Sequence, residues 1–101
     1  MGLYGRQGRL VARPGQRDAL AKILLEDETG LQAMPGCRLY LVFASEKEPD
    51  ALLITELWET EEAHKASLAL PGVKAAIARA LPLIAGGDGE GLTLLGGRVP
   101  D

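Results

Sequence analysis

The sequence predicts an α+β domain in which four strands and three helices follow the order β-α-β-β-α-α-β. Residues 37–44 and 51–59 are rich in β-branched and aromatic side chains, and the charged loop between them predicts an antiparallel hairpin. Residues 16–28 and 71–84 carry apolar side chains at helical spacing. This order is the split βαβ, or ferredoxin-like, arrangement, with helices on one face of a four-stranded antiparallel sheet. A chain of 101 residues is expected to form one such domain, residues 1–101.

The first strand and the first helix are predicted in the N-terminal third of the chain. The strand covers residues 3–12, and an Arg-Pro-Gly turn follows at residues 13–15. The helix covers residues 16–28 and ends before Gly30, which suits a helix C-terminus. Its apolar stripe consists of Leu20, Ile23 and Leu24.

The two central strands are apolar on both faces. In residues 37–44 one face is predicted to carry Cys37, Leu39, Leu41 and Phe43. In residues 51–59 one face carries Leu52, Ile54, Glu56 and Trp58, and the other carries Leu53, Thr55 and Leu57. The helices of one small domain cover only one face of its sheet. The sequence therefore predicts a homodimer in which a second copy covers the other face through a two-fold interface.

The C-terminal half is predicted to contain two helices and a last strand. Thr60 is a good N-cap for the helix at residues 61–70, and Pro71 begins or bends the next helical segment. Pro82 lies inside that second helical pattern, so the last turn of the helix should kink or end there. The glycine-rich residues 86–91 are predicted to form a flexible linker, and residues 92–99 are predicted to form the fourth strand, with a bulge or kink at Gly96 and Gly97.

Composition excludes several classes of function. The net charge is −3 and the basic residues are scattered, so the sequence lacks the basic footprint of a nucleic-acid-binding protein or of a protein bound to an anionic membrane. One cysteine and one histidine exclude an intramolecular disulfide and a Cys- or His-rich metal site within one chain. The N-terminus lacks the apolar core of a signal peptide, and no apolar run reaches the ~18 residues of a membrane span. We therefore expect a cytoplasmic protein.

The candidate site is the strand–helix junction at residues 54–67, which contains both the only tryptophan and the only histidine. His64 is a candidate general base, because its ordinary pKa is near neutrality and the helix N-terminus favours its neutral form. The alternative is an outward-facing helix position. Trp58 is either a pocket wall or a donor of its indole N–H to a ligand. Glu56 is either a pocket carboxylate or half of a salt bridge with Arg79 or Arg38.

Further candidates surround this junction. Arg79 is either a substrate-binding residue or a solvated helix residue. Tyr40 and Ser67 are candidate hydrogen-bond donors to a ligand, and the alternative for both is packing or solvation. Cys37 is expected to be a small buried apolar side chain.

The chain resembles the antibiotic biosynthesis monooxygenase family, whose members are dimeric α+β barrels. The resemblance rests on LYGRQGRL and RPGQRDAL, then MPGC, ITELWETEEAH and ASLALPGVKAAIARALPLIAG, and a final GG. The most diagnostic part is the Glu-x-Trp sequence that leads into an acidic helix containing alanine. The resemblance implies a homodimer with an apolar cavity. It also implies either oxygenation of a phenol or quinol without metal, flavin or other cofactor, or binding and degradation of heme.

Departures from the family pattern bear on this choice. Ser67 stands where many members have a histidine, and the sequence contains no asparagine, which heme-degrading relatives use on the first strand. Both departures count against heme chemistry. Ile54 occupies the substrate-binding position where some oxygenases have an asparagine, so one donor to an oxyanion is missing. Three functions remain in order of preference: a cofactor-independent monooxygenase acting on an apolar aromatic molecule, a non-catalytic binding protein for such a molecule, and a heme protein.

Overall fold

The computed structural model describes residues 3–26 and 34–98, and its elements follow the predicted order. The strands are β1 (Tyr4–Ala12), β2 (Cys37–Ala44), β3 (Ala51–Trp58) and β4 (Ile84–Thr93). The helices are α1 (Arg17–Leu25), α2 (Glu61–Ser67) and α3 (Pro71–Ala80), and a 3₁₀ turn, Leu81–Leu83, follows α3. The strands form one antiparallel sheet in the order β2-β3-β1-β4, which confirms the ferredoxin-like α+β fold. The predicted helix end at residues 27–28, Gly30 and the predicted strand end at Val99 lie outside the described residues.

Local sequence signals set the bounds of the C-terminal helices. The Thr60 Oγ1 atom accepts a hydrogen bond from the Ala63 backbone N–H at 3.0 Å, so Thr60 is the N-cap of α2 as predicted. Pro71 is the first residue of α3, where its missing N–H costs no helical hydrogen bond. Pro82 ends α3 at Ala80 and leaves only the 3₁₀ turn beyond it, as expected.

The prediction of a flexible linker at residues 86–91 was wrong, because this segment lies inside β4 and pairs with β1 along its whole length. The glycines at alternate positions of β4 leave room for β1 side chains to lie across the strand. A Cβ atom at Gly91 would lie 2.7 Å from the Tyr4 hydroxyl oxygen, so a larger residue would clash there. Strand β4 begins at Ile84, eight residues before the predicted start at residue 92. The irregularity in its pairing lies opposite Val11 and Ala12, and the glycines at 96 and 97 follow the strand.

A second correction concerns Cys37. The register between β2 and β3 shifts between Cys37 and Leu39, so Cys37 pairs with Trp58 and packs on the helix side of the sheet. It does not share the face of Leu39, Leu41 and Phe43. Cys37 is half-buried, and burial raises the pKa of its thiol. The bulge at the start of β2 thus turns this side chain into the core, a change that strict alternation does not predict.

Within residues 3–26 and 34–98, the buried apolar side chains form two separate clusters between the sheet and the helices. The Leu20 cluster lies under α1 and the C-terminal half of α3, and its buried members are Ala12, Leu20, Ile23, Leu52, Ala76 and Ala80. The Trp58 cluster lies under α2 and the start of α3, and its buried members are Met34, Trp58 and Val73. Because the two clusters do not merge, the sheet and the helices leave space between them.

The face of the sheet opposite the helices has an apolar, partly open part and a polar part that carries Gln7, Arg9, Asp88 and Glu90. Leu41 and Phe43 on β2 are 42% and 51% exposed, and Leu92 on β4 is 39% exposed. No single helix within residues 3–26 and 34–98 is long and apolar enough to cross a membrane. In this described part of the chain, a bent pair made of α2 and residues 71–83, with an angle of 70°, reaches the required length and composition.

Candidate functional site

A cavity of about 250 Å³ lies between the two core clusters, bounded by the sheet, α2 and α3. Its walls are mainly apolar. The polar side chains that line it are Tyr40, Glu56, His64 and Ser67. All four come from β2, β3 and α2, so they gather where β3 leads into α2. The structure therefore brings together five predicted site residues, because Trp58 also lines the cavity.

Glu56 and Trp58 form a hydrogen-bonded pair in the cavity wall. The Trp58 Nε1–H donates to Glu56 Oε1 at 2.9 Å, and Trp58 is only 1% exposed. The two residues lie two positions apart on β3, so their side chains share one face of the sheet. The indole N–H is thus occupied by Glu56. Trp58 serves as a wall that fixes the carboxylate, whereas Glu56 keeps its other oxygen for a further partner.

His64 lies between two aromatic rings. Its imidazole centroid is 5.4 Å from that of Trp58 in an edge-on arrangement and 6.0 Å from that of Tyr4. Burial lowers the pKa of His64; the charge of Glu56 opposes this shift and that of Arg6 adds to it. The neutral imidazole is therefore favoured, as the sequence predicted, but desolvation is the main cause. A neutral imidazole can accept a proton.

Tyr40 and Ser67 complete the polar end of the cavity. Burial raises the pKa of Tyr40, and the negative charge of Glu56 directly opposite on β3 adds to this shift. The Tyr40 hydroxyl therefore stays protonated and can donate a hydrogen bond. Ser67 is 4% exposed, and its Oγ donates to the His64 carbonyl oxygen at 2.6 Å. Ser67 thus ties its own position on α2 to the backbone of His64.

Two predicted binding residues do not line the cavity. Arg79 lies on α3, and its guanidinium makes two hydrogen bonds to the Glu26 carboxylate at 2.9 and 3.0 Å. Ile54 is buried in the sheet, 7% exposed, outside the cavity wall. The suggested salt bridge from Glu56 to Arg79 or Arg38 was also wrong. Arg79 pairs with Glu26, Arg38 lies 4.0 Å from Glu59, and Glu56 accepts from Trp58.

Sequence reasoning missed two residues of β1 that lie beside the site. Tyr4 pairs with Trp58, and Arg6 pairs with Glu56, so both side chains lie on the helix side of the sheet. The Arg6 Nη1 atom donates to the Tyr4 hydroxyl at 3.1 Å, and the Tyr4 ring contacts His64. The sequence order predicts this neighbourhood in principle, because antiparallel pairing of β1 with β3 places Tyr4 and Arg6 beside Trp58 and Glu56. The glycines of β1 obscured its apolar alternation.

The chemistry available in the cavity is acid–base chemistry in an apolar enclosure. A carboxylate and a neutral imidazole can accept protons, and a protonated phenol can donate a hydrogen bond to an anion. Within residues 3–26 and 34–98, no group of three or more His, Cys, Asp or Glu side chains is arranged to hold a metal ion.

Comparisons with known proteins agree with this architecture. The family model for antibiotic biosynthesis monooxygenases matches residues 4–79. A structure from Chloroflexus aurantiacus, provisionally named an antibiotic biosynthesis monooxygenase, is 48% identical, with a TM-score of 0.88 over 95% of this chain and 96% of that chain. One from Caulobacter crescentus with the same provisional name is 26% identical, with a TM-score of 0.85 over 94% and 92%. A Nitrosomonas europaea protein of unknown function, 24% identical, shares the fold with a TM-score of 0.82 over 100% and 97%. No curated protein matches this chain significantly.

The matched region runs from the first residue of β1 into the last turn of α3. It contains most of the sheet, the helices that bound the cavity, and the Glu56–Trp58 pair with His64. The likeness thus covers both the fold and the elements that position the candidate site. The chain belongs to the antibiotic biosynthesis monooxygenase family.

Proposed function

We propose that this protein is a monooxygenase that binds an electron-rich phenol or quinol in the cavity and oxygenates it with dioxygen, without a metal or organic cofactor. The observation that carries this proposal is the placement of two proton acceptors, Glu56 and His64, at the polar end of an otherwise apolar cavity. Membership of the monooxygenase family supports the same reaction class.

The proposed reaction needs only substrate and dioxygen. Loss of the phenolic proton makes the ring electron-rich enough to reduce dioxygen by one electron, and the two radicals then combine. One oxygen atom is retained on a ring carbon and the other leaves as water, so a benzenediol becomes a hydroxybenzoquinone. The substrate supplies all the electrons. The protein must therefore accept a proton, stabilise an anion and exclude bulk water.

Each polar side chain has a proposed role in this reaction. His64 in its neutral form takes the phenolic proton, and Glu56 is the second candidate for this role. Trp58 fixes the Glu56 carboxylate and supplies an aromatic wall. Tyr40 donates its hydroxyl hydrogen to the phenolate oxygen, because its raised pKa keeps it protonated. Arg79 and the Trp58 indole N–H, the donors to a ligand suggested by the sequence, have no role here, since they bind Glu26 and Glu56.

Oxygen uptake tests the proposal directly. Metal-stripped protein is mixed with a panel of one-ring and fused-ring quinols, and wild type is compared with His64→Ala and Glu56→Gln. Loss of the general base should lower the rate about a hundredfold to ten-thousandfold. Glu62→Ala, on the exposed first turn of α2, is the matched control and should keep the wild-type rate.

The outcomes separate the candidate functions. If no substrate is consumed above the buffer rate, the monooxygenase assignment fails and a non-catalytic binding protein takes its place. If turnover occurs and only Glu56→Gln is impaired, Glu56 is the base. Addition of hemin tests the heme alternative, for which a shifted Soret band would be required.

We also propose that the protein works as a homodimer. The exposed apolar side chains on the sheet face opposite the helices, Leu41, Phe43 and Leu92, support a sheet-to-sheet contact with a second copy. Sedimentation at micromolar concentration should give twice the 10.7 kDa chain mass, and a clean monomer would contradict the proposal.

A further inference from the structure

The cavity has two chemically different ends. At one end, the side chains of Tyr40, Glu56 and His64 lie beside the Trp58 cluster. At the other end, Leu10, Ala80 and Ile84 lie beside the Leu20 cluster, and these walls carry no polar side-chain atom. A ligand that fills the whole cavity therefore meets hydrogen-bonding groups at one end only.

The cavity is also elongated along the sheet. Leu10 pairs with Leu52, which lies four residues from Glu56 on β3, so the two ends are ~13 Å apart at the strand rise of ~3.3 Å per residue. Helix α3 gives a second measure. Val73 lies at the Trp58 end and Ala80 at the far end, a separation of ~10 Å along the helix axis.

The volume of the cavity sets how much of a ligand it can bury. A cavity of ~150 Å³ holds benzene, and a small group such as a water molecule takes up ~30 Å³. The cavity here, about 250 Å³, can therefore bury one aromatic ring and about three further carbon atoms. The small side chains of Ala76 and Ala80 on α3 leave this space open. The apolar side chains Leu68 and Ile77, 46% and 42% exposed, mark the route to solvent.

We propose that the ligand is an amphipathic phenol, in which one hydroxylated ring carries a short saturated hydrocarbon chain. The hydroxyl group lies at the Glu56 and His64 end, and the chain runs along α3 toward Ala80 and Ile84. The inference rests on the proposed function for the phenolic group, and it adds the size of the ring system and the presence and direction of the chain.

Binding of 4-n-alkylphenols, from methyl to hexyl, tests the inference without requiring turnover. The only tryptophan, Trp58, lies in the cavity wall, so its fluorescence reports occupancy. Each buried methylene should tighten the Kd about fourfold, and the gain should diminish beyond about three or four carbons. Alkylbenzenes with the same chains should bind at least tenfold more weakly. A Kd that does not improve with chain length, or equal binding of the alkylbenzenes, would overturn the inference.

Variants of α3 locate the chain. Ala80→Leu fills the far end, so the preference for butylphenol over methylphenol, about sixtyfold in wild type, should fall below tenfold. Ala78→Leu makes the same change on the exposed face of α3 and should leave the preference unchanged. Ile84→Ala enlarges the far end and should move the limit to a longer chain, which provides a test if Ala80→Leu does not fold. An unchanged chain-length profile in the far-end variants that fold would overturn the inference.

The two proposals fail separately. Chain-dependent binding together with no oxygen uptake from any quinol would leave the ligand inference standing and refute the monooxygenase assignment. Oxygen uptake together with binding that does not depend on chain length would leave the monooxygenase assignment standing and refute the ligand inference.

Discussion

The hydrogen bond between Trp58 and Glu56 yields the sharpest prediction, because one buried donor depends on one carboxylate. Glu56→Ala removes the acceptor that lies 2.9 Å from the indole Nε1, in a residue that is 1% exposed. A buried donor without a partner costs about 1–3 kcal/mol of folding free energy. For a domain of about 100 residues, each kcal/mol lowers the Tm by roughly 4–8 °C.

Two further variants separate the hydrogen bond from other effects of the substitution. Glu56→Gln keeps an oxygen acceptor at the same place and loses only the added strength of the charge, so it should cost about 1 kcal/mol or less. In a Trp58→Phe background, Glu56→Ala no longer leaves a buried donor unpaired. The difference between the two backgrounds should be about 1 kcal/mol or more.

Urea unfolding followed by circular dichroism measures these differences, because the signal does not depend on the tryptophan that is being replaced. All samples need one protein concentration, since association changes the apparent stability. Glu62→Ala, on the exposed first turn of α2, is the control and should stay within about 0.5 kcal/mol of wild type. The reasoning fails if Glu56→Gln costs as much as Glu56→Ala, or if Glu56→Ala costs no more than the control.

Three further predictions concern the core, the histidine and the sheet face. Leu20→Ala, at 0% exposed, should cost about 3–5 kcal/mol in urea unfolding, whereas Leu25→Ala, at 49% exposed, should cost less than about 1 kcal/mol; equal costs would contradict the Leu20 cluster. Burial lowers the pKa of His64, so the stabilisation from its neutral form is present above the unfolded value of 6.5 and is lost as the pH falls through the folded pKa. Unfolding measured from about pH 8 to pH 5 should therefore show a larger loss in wild type than in His64→Gln, and parallel curves would refute this assignment. Phe43→Glu should convert the proposed dimer to monomer in sedimentation, whereas Leu81→Glu, on the helix side, should not; a dimeric Phe43→Glu would place the interface elsewhere.

The sequence by itself determined the elements whose signals are local. The alternation of residues 39–44 and 51–58, the Thr60 cap, Pro71 at a helix start and Pro82 at a helix end depend on nearby residues only, and each appears where it was predicted. The position of the candidate site was also predictable in part. Trp58 and Glu56 share a strand face by period-two alternation, and His64 follows at the start of the next helix.

Tertiary structure alone decided the features that depend on a neighbouring strand or helix. The glycine-rich residues 86–91 have no intrinsic strand preference, and they form β4 because β1 side chains lie across them. Arg79 reaches Glu26 because α1 and α3 pack together, which no local pattern encodes. Tyr4 and Arg6 join the site through pairing of β1 with β3, more than forty residues away in sequence. The cavity exists because two apolar clusters form on one sheet without merging, and that separation depends on the packing of all three helices.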